Sequence, residues 1–149
     1  MSGRFAGRNI IVTGGGRGIG QAAARQFAAE GGEVLLLGRT AADLDATVAG
    51  IEADGGSAWS HTCDVRDDAQ VDAAIAAATD RWGRIDVLVN NAGIDDDTPF
   101  LEIDRAKWRS VVDTNLTGCF LMAQLAARSM AAVAAGRVDR CDVDDRTPT

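Results

Sequence analysis

The sequence predicts a doubly wound α/β fold, in which a parallel β-sheet lies between two layers of helices. Short apolar runs rich in β-branched residues alternate with amphipathic stretches, and glycine turns separate the two. Two of the strand segments are continuously apolar and a third is apolar apart from Asp86, which is typical of parallel strands buried on both faces. Such strand–helix alternation favours right-handed βαβ units and therefore a three-layer α-β-α architecture.

Four strands are expected, at Ile10–Val12, Val34–Leu37, Ser57–Cys63 and Ile85–Val89. The third is the weakest, because polar residues interrupt its apolar pattern. The fourth resembles the first two in its apolar run, which Asp86 alone interrupts, and we expect it to be buried on both faces as well.

Helices are expected between these strands and after the last one. Asp67 and Asp104 stand where an N-cap is expected, and the Gly31-Gly32 and Gly55-Gly56 pairs follow predicted helices, where a left-handed residue is easiest to place. A long helical region is predicted over residues 104–135. Its predicted apolar stripe consists of Leu116, Cys119, Phe120, Ala123, Ala127 and Met130.

Length and composition exclude several classes of protein. With 149 residues, 46% of them hydrophobic, the chain fits one globular domain, which we assign to residues 1–135. A net charge of −7 disfavours nucleic acid as a partner. No apolar run is long enough for a membrane span or a signal peptide, so we expect a cytoplasmic protein without a membrane partner.

Neither the cysteines nor the acidic residues indicate a metal site. Cys63, Cys119 and Cys141 are widely spaced and odd in number, so we interpret them as reduced structural thiols. Three consecutive acids, Asp95–Asp97, are interpreted as a solvated loop because a hard cation needs ligands from several directions. His61 has no partner histidine, and Trp59, Trp82 and Trp108 are expected in the core or covering it.

The segment Thr13–Gly20, with the sequence TGGGRGIG, lies between the first predicted strand and helix. The start of a helix offers unpaired amides and a positive dipole end, and glycines let a diphosphate approach them. Because Gln21 and Ala22 follow, the loop lacks the Lys-Ser/Thr of a P-loop. The spacing fits T-G-x-x-x-G-I-G, in which Gly14, Gly18 and Gly20 are required and Ile19 stands between the last two. We therefore expect a Rossmann-type dinucleotide site.

The residue at the end of the second strand distinguishes two nicotinamide dinucleotides. A carboxylate there would bind the free ribose 2′-hydroxyl of NAD, but the strand ends in Arg39. Arg39 suits the 2′-phosphate of NADP, and Arg17 in the glycine loop could approach the same group. Asp43 is a poor alternative ribose ligand because it falls within the next helix. The pattern favours NADP(H) over NAD(H).

Taken together, these residues resemble the short-chain dehydrogenase/reductase family over about the first 135 positions. TGGGRGIG is similar to the family's cofactor loop, and Asp64 and Val65 match the carboxylate and amide that contact adenine. Asn90–Gly93 matches the family's NNAG signature, which implies that Asn91, Ala92 and Gly93 line the nucleotide site. Asn115 matches the asparagine that holds a water in the family's proton relay.

The resemblance implies reversible hydride transfer between a nicotinamide and an unknown small carbonyl or alcohol substrate. In the family a tyrosine, with a lysine four residues later and a serine, handles the proton. This sequence contains no tyrosine, and its single lysine, Lys107, precedes Asn115. The resemblance therefore implies a cofactor-binding portion with negligible turnover of its own. A non-catalytic nucleotide-binding or partner-interaction module is the alternative.

Residues 136–149 depart from the family pattern. Gly136–Val138 is similar to the start of a fifth strand, but the residues that follow are too charged to be buried. We expect an exposed tail, and interpret the chain as a truncated or frame-shifted gene product, with an evolved short form as the less favoured alternative. The fourth strand would then be an unpaired edge, and the long helix would have an uncovered face through which the chain could form a homo-oligomer.

Overall fold

The computed structural model describes residues 3–135. Its strands, helices and short helical turns follow in the order β1 (Asn9–Thr13), α1 (Gly18–Ala29), β2 (Glu33–Gly38), α2 (Ala41–Ala53), β3 (Ser57–Thr62), α3 (Asp68–Trp82), β4 (Val87–Val89), a 3₁₀ turn (Phe100–Glu102), α4 (Arg105–Val112), a π-helical turn (Asp113–Thr117) and α5 (Gly118–Ala135).

The four strands form one parallel sheet in the order β3-β2-β1-β4. Ile11 of β1 stands opposite Leu35 of β2 on one side and Leu88 of β4 on the other. The chain therefore crosses over the sheet between β3 and β4, which brings the carboxyl ends of β1, β2 and β4 to one edge. This topology confirms the predicted α/β class.

Apolar side chains cover both faces of the sheet. On one face Ile11 and Leu35 pack with Val71 of α3 and Met122 of α5. On the other face Ile10 packs with helices α1 and α2, through buried side chains that include Ala24, Leu44 and Ile51. Because successive residues of a strand point to opposite faces, a continuous apolar run supplies both cores, and the result is the expected three-layer arrangement.

The predicted helix boundaries rest on local hydrogen bonds. The Asp67 carboxylate accepts from the Gln70 amide at 3.1 Å, and that of Asp104 accepts from the Lys107 amide at 2.8 Å. Gly31 and Gly55 have φ of 88° and 80°, the left-handed conformation expected after α1 and α2. Both N-caps and both left-handed glycines are confirmed.

Strand β4 differs from its prediction. It spans Val87–Val89 rather than Ile85–Val89, and its residues are half-buried rather than buried. The reason is its position, since β4 is paired only with β1 among residues 3–135 and is an edge of the sheet that they form.

The long helical region also differs in detail. The π-helical turn at Asp113–Thr117 divides it into α4 and α5. Met122 and Ala126 of α5 are buried against α3, whereas Leu116 and Phe120 of the predicted stripe are 67% and 58% exposed. That stripe is therefore wrong as a core face. Because α5 is apolar on more than one side, its periodicity could not identify the face that meets the sheet.

Trp59 and Trp82 pack edge-to-face at 5.4 Å beside the core, but Trp108 is 62% exposed and neither fills nor covers it. Cys63 is buried and Cys119 half-buried. Cys141 and the predicted tail, 136–149, lie outside the described residues. Within the described part of the chain, no helix has the length and apolar character needed to cross a bilayer.

Candidate functional site

A cleft of about 230 Å³ opens at the carboxyl ends of β1, β2 and β4. Segments that are far apart in the sequence meet there: the glycine loop, the end of β2, the residues after β3 and those after β4. Its lining comprises Gly14, Gly16, Arg17, Leu37, Gly38, Arg39, Thr40, Asp43, Leu44, Cys63, Asp64, Val65, Asn91, Ala92, Gly93, Ile94 and Thr114.

The glycine loop packs too closely on its neighbours to carry side chains at two of its required positions. Gly14 has φ of 67°, and a Cβ there would lie 2.9 Å from Asn91 Nδ2. A Cβ on Gly20 would lie 2.2 Å from the Gly14 carbonyl oxygen, inside van der Waals contact. Gly18 differs, since its φ is 58° but a Cβ would meet nothing within 4 Å. The missing side chain at Gly20 therefore lets α1 pack against the Gly14 backbone, whereas the missing side chain at Gly18 leaves open space above the loop.

The first turn of α1 presents unpaired donors. Among residues 3–135, the backbone amides of Gly18, Ile19 and Gly20 have no hydrogen-bond acceptor. Arg17 is the N-cap and makes no side-chain capping bond, and no acidic residue lies in the first turn. Ile19, an apolar residue, is 82% exposed beside them. This combination of free amides and positive dipole end suits an anion.

Two arginines add positive charge to the cleft. Arg17 lines it from the glycine loop and Arg39 from just beyond the end of β2, and both side chains are exposed. Neither forms an ion pair within the described part of the chain, although seven other pairs occur there. Asp43 lines the same cleft but lies in the first turn of α2.

After β3, the chain presents a carboxylate and a free amide. Arg66 binds both carboxylate oxygens of Asp64, and its hydrogen bonds lower the pKa of that group below its ordinary value. The neighbouring Val65 is buried, and its backbone amide has no acceptor among residues 3–135. Cys63 also reaches the cleft, where burial raises its pKa to about 11 and keeps the thiol protonated.

Two asparagines hold the segment after β4 in place. The Asn91 side chain donates to the Thr13 carbonyl at 3.0 Å, while that of Asn90 donates to the Cys119 carbonyl at 3.0 Å. Buried Thr13 accepts at its hydroxyl from the amides of Asn91 and Ala92. The signature segment is thus fastened to β1 on one side and to α5 on the other.

Asn115 lies in the π-helical turn and pairs with the backbone of one residue. Its Oδ1 accepts from the Ile94 amide at 2.9 Å, and its Nδ2 donates to the Ile94 carbonyl at 2.8 Å. This two-bond contact fixes the loop that follows the signature. Lys107 is engaged elsewhere, since its Nζ lies 2.6 Å from Thr98 Oγ1 and 3.9 Å from an Asp96 carboxylate oxygen.

Comparison with known sequences identifies the family. The sequence matches that of the short chain dehydrogenases over residues 8–138. The chain belongs to the short-chain dehydrogenase family. The expected resemblance is thereby confirmed.

Individual members of the family show how much is shared. The chain is 44% identical over 128 residues to a short-chain reductase protein, NovJ, of Streptomyces niveus, covering 86% of this chain and 49% of that one. It is 41% identical over 129 residues to a 3-oxoacyl-(acyl-carrier-protein) reductase of Synechocystis sp., covering 86% and 52%. The chain spans about half the length of the curated relatives it matches.

Solved structures of short-chain dehydrogenases have the same fold. A citronellol catabolism dehydrogenase of Pseudomonas aeruginosa superposes with a TM-score of 0.83 at 40% identity, over 89% of this chain and 54% of that one. A metagenomic short-chain oxidoreductase in complex with NADP gives a TM-score of 0.82 at 35% identity, over 87% and 59%.

Most of the residues singled out by their family motifs meet at the cleft. Eight of them line it: Gly14, Arg17, Arg39, Asp64, Val65, Asn91, Ala92 and Gly93. Gly18, Ile19 and Gly20 form the adjoining first turn of α1. Asn115 does not line the cleft, but it is hydrogen-bonded to Ile94, which does.

Sequence reasoning gave Thr13 and Thr47 no role, although each is a buried polar residue whose hydroxyl hydrogen-bonds to a loop of the site. The one signal in the sequence for Thr13 was its place at the start of the motif T-G-x-x-x-G-I-G.

Proposed function

We propose that this chain binds NADP(H) and forms the cofactor-binding portion of an NADP(H)-dependent short-chain oxidoreductase. The observation that carries the proposal is that three unpaired amides begin α1 directly after Arg17, which lines the same cleft as an unpaired Arg39 at the end of β2. No acidic side chain competes for the amides in the first turn of the helix.

The amides of Gly18, Ile19 and Gly20 would bind the diphosphate. Gly14 and Gly20 let the loop lie close to α1, and the open space above Gly18 admits phosphate oxygens to the amides. The helix dipole adds favourable electrostatics at the same point.

Arg39 favours the phosphorylated dinucleotide. Its guanidinium can bind a 2′-phosphate through charge-assisted hydrogen bonds, and Arg17 lines the same cleft. The metagenomic relative in complex with NADP supports this choice. Asp43 also lines the cleft, but it lies in the first turn of α2 and not at the end of β2, where a ribose carboxylate is expected.

Asp64 and Val65 would bind the adenine. A carboxylate accepts from the exocyclic amino group, and the unpaired Val65 amide donates to a ring nitrogen. The two groups are adjacent in the chain and both line the cleft.

The nicotinamide supplies hydride chemistry toward a carbonyl or an alcohol in this family, and Asn115 would help to order the proton path beside Ile94. The sequence has no tyrosine, and its one lysine contacts Thr98 and Asp96. We therefore expect binding by this chain alone but negligible turnover. The absence of a tyrosine also favours the second candidate function, a nucleotide-binding module without catalysis.

Isothermal titration calorimetry of the folded 149-residue chain tests the proposal. We expect saturable binding of NADP⁺ and binding of NAD⁺ that is weaker by about ten-fold, the contribution of one charge-assisted contact. Absence of saturation with both nucleotides would overturn the proposal. Measurable oxidation of NADPH with small ketones would instead contradict the expected lack of turnover.

We further propose that a second copy of the chain covers the exposed apolar face of α4 and α5. Trp108 of α4, Leu116 of the π-helical turn and Phe120 of α5 are each more than half exposed. Large apolar side chains grouped on one surface typically mark an interface.

A further inference from the structure

Arg66 makes several hydrogen bonds to the carboxylate of Asp64. Its Nη2 lies 2.6 Å from Asp64 Oδ2, its Nε lies 3.0 Å from Oδ1, and its backbone amide donates to Oδ1 at 3.0 Å. Both carboxylate oxygens are thus engaged by one residue two positions along the chain. The sequence motif that singled out Asp64 assigned nothing to Arg66.

Two further contacts restrict this pair. The Arg66 Nη1 lies 3.3 Å from Ser110 Oγ on α4, and the Asp64 backbone amide donates to Gln70 Oε1 at 3.0 Å. The carboxylate therefore cannot rotate freely. Most of its lone-pair positions are occupied, which leaves room for about one more donor.

We propose that Arg66 is a positioning residue that makes Asp64 selective for an amino group on the purine of the dinucleotide. The inference rests on the proposed function, because it takes the adenine to lie against Asp64 and Val65. A fixed, ionised carboxylate accepts a hydrogen bond from the 6-amino group of adenine, but it repels the 6-keto oxygen of hypoxanthine. Without Arg66 the carboxylate can turn away from the base, and the distinction is reduced.

The burial of the two side chains agrees with this role. They are only about one-third and one-fifth exposed, at 35% for Arg66 and 22% for Asp64, so the pair is partly shielded from water. Arg66 itself does not line the cleft, whereas Asp64 does. Its effect on the ligand must therefore pass through Asp64.

The test compares NADP⁺ with its hypoxanthine analogue by calorimetry on the full chain. We expect the wild type to prefer the adenine form by roughly ten-fold, the worth of one charge-assisted hydrogen bond. Arg66→Gln should reduce this preference to less than three-fold, and Asp64→Asn should abolish it. The double variant should lose no more than Asp64→Asn alone, because both act on one contact. Arg25→Gln, which removes an exposed ion pair to Asp54 outside the cleft, is the matched control and should keep the wild-type preference.

Each result decides the proposal. An unchanged adenine preference in folded Arg66→Gln, with NADP⁺ still bound, would overturn it and leave the proposed function intact. Failure of the folded wild type to bind either nucleotide would overturn the proposed function as well. If Arg66→Gln does not fold, Arg66→Lys serves as the test variant. A lysine ammonium cannot bind both carboxylate oxygens of Asp64 as a guanidinium does, so the preference for the adenine form should still fall.

Discussion

Thr13 accepts two hydrogen bonds from Asn91, which lies 78 residues further along the chain. The Thr13 hydroxyl accepts from the Asn91 backbone amide at 3.0 Å, and the Asn91 side chain donates to the Thr13 carbonyl at 3.0 Å. Since the hydroxyl also accepts from the Ala92 amide at 2.9 Å, one buried side chain joins the end of β1 to the segment after β4. These hydrogen bonds hold Asn91 and Ala92, which line the cleft, against the end of β1.

Replacing Thr13 with valine should destabilise the fold. Valine preserves shape but leaves the Ala92 amide without its acceptor and the Asn91 amide with the Val89 carbonyl alone, which should lower the free energy of unfolding by about 2 kcal/mol. Urea denaturation followed by tryptophan fluorescence measures this. Thr13→Ser, which keeps the hydroxyl, should lose clearly less; equal losses would show that the methyl group, not the hydrogen bonds, carries the effect.

A pair of glycine variants separates backbone strain from ligand binding. Gly18 and Gly55 both have positive φ and open space around a prospective Cβ. Alanine at either position should cost about 1 kcal/mol of stability. Only Gly18→Ala should weaken NADP⁺ binding, by at least ten-fold, because its methyl group would stand over the amides of α1. Calorimetry showing equal affinities for the two variants would argue against the diphosphate lying on this turn.

Arg39→Gln should change the choice of nucleotide. We expect the affinity for NADP⁺ to fall by about ten-fold while that for NAD⁺ changes less than three-fold, because only the 2′-phosphate loses a partner. Arg25→Gln serves again as the control, as it removes a charge of the same kind outside the cleft. A parallel fall for both nucleotides would indicate a general electrostatic effect instead.

Self-association should depend on the apolar face of α5. Phe120→Lys should shift the sedimentation velocity profile toward the monomer, since a charge would be buried in the proposed interface. Ala76→Lys places the same charge at an exposed position on α3 and should leave the profile unchanged. A wild-type monomer at all concentrations would contradict the proposed second copy.

The ion pair between Arg4 and Glu30 should make stability depend on acid pH. Hydrogen bonds from Arg4 and Gln26 lower the pKa of Glu30 from 4.5 to about 2. A carboxyl whose folded pKa is lowered contributes stability above its ordinary pKa, and loses it as the pH falls toward 2. The urea midpoint of the wild type should therefore exceed that of Glu30→Gln at pH 6, and the two should converge near pH 2. A difference that persists at pH 2 would rule out ionisation as its source.

Features that depend on neighbouring residues were predicted well. The glycine spacing and the caps at Asp67 and Asp104 follow from short-range backbone chemistry, and strand–helix alternation was enough to predict the fold class. The predicted face of α5 was wrong because Leu116 and Phe120 are as apolar as Met122. Only contact with α3 distinguishes the side that is buried.

The sequence by itself determined the fold class and the conformation of the glycine loop, because periodicity and glycine positions act within one turn or one strand. Tertiary structure alone decided that Thr13 fastens Asn91, that Asn115 holds Ile94, and that Arg66 holds the Asp64 carboxylate by both oxygens. The first two contacts join residues far apart in the chain. The third links near neighbours, but it depends on side-chain directions that the order of residues does not specify.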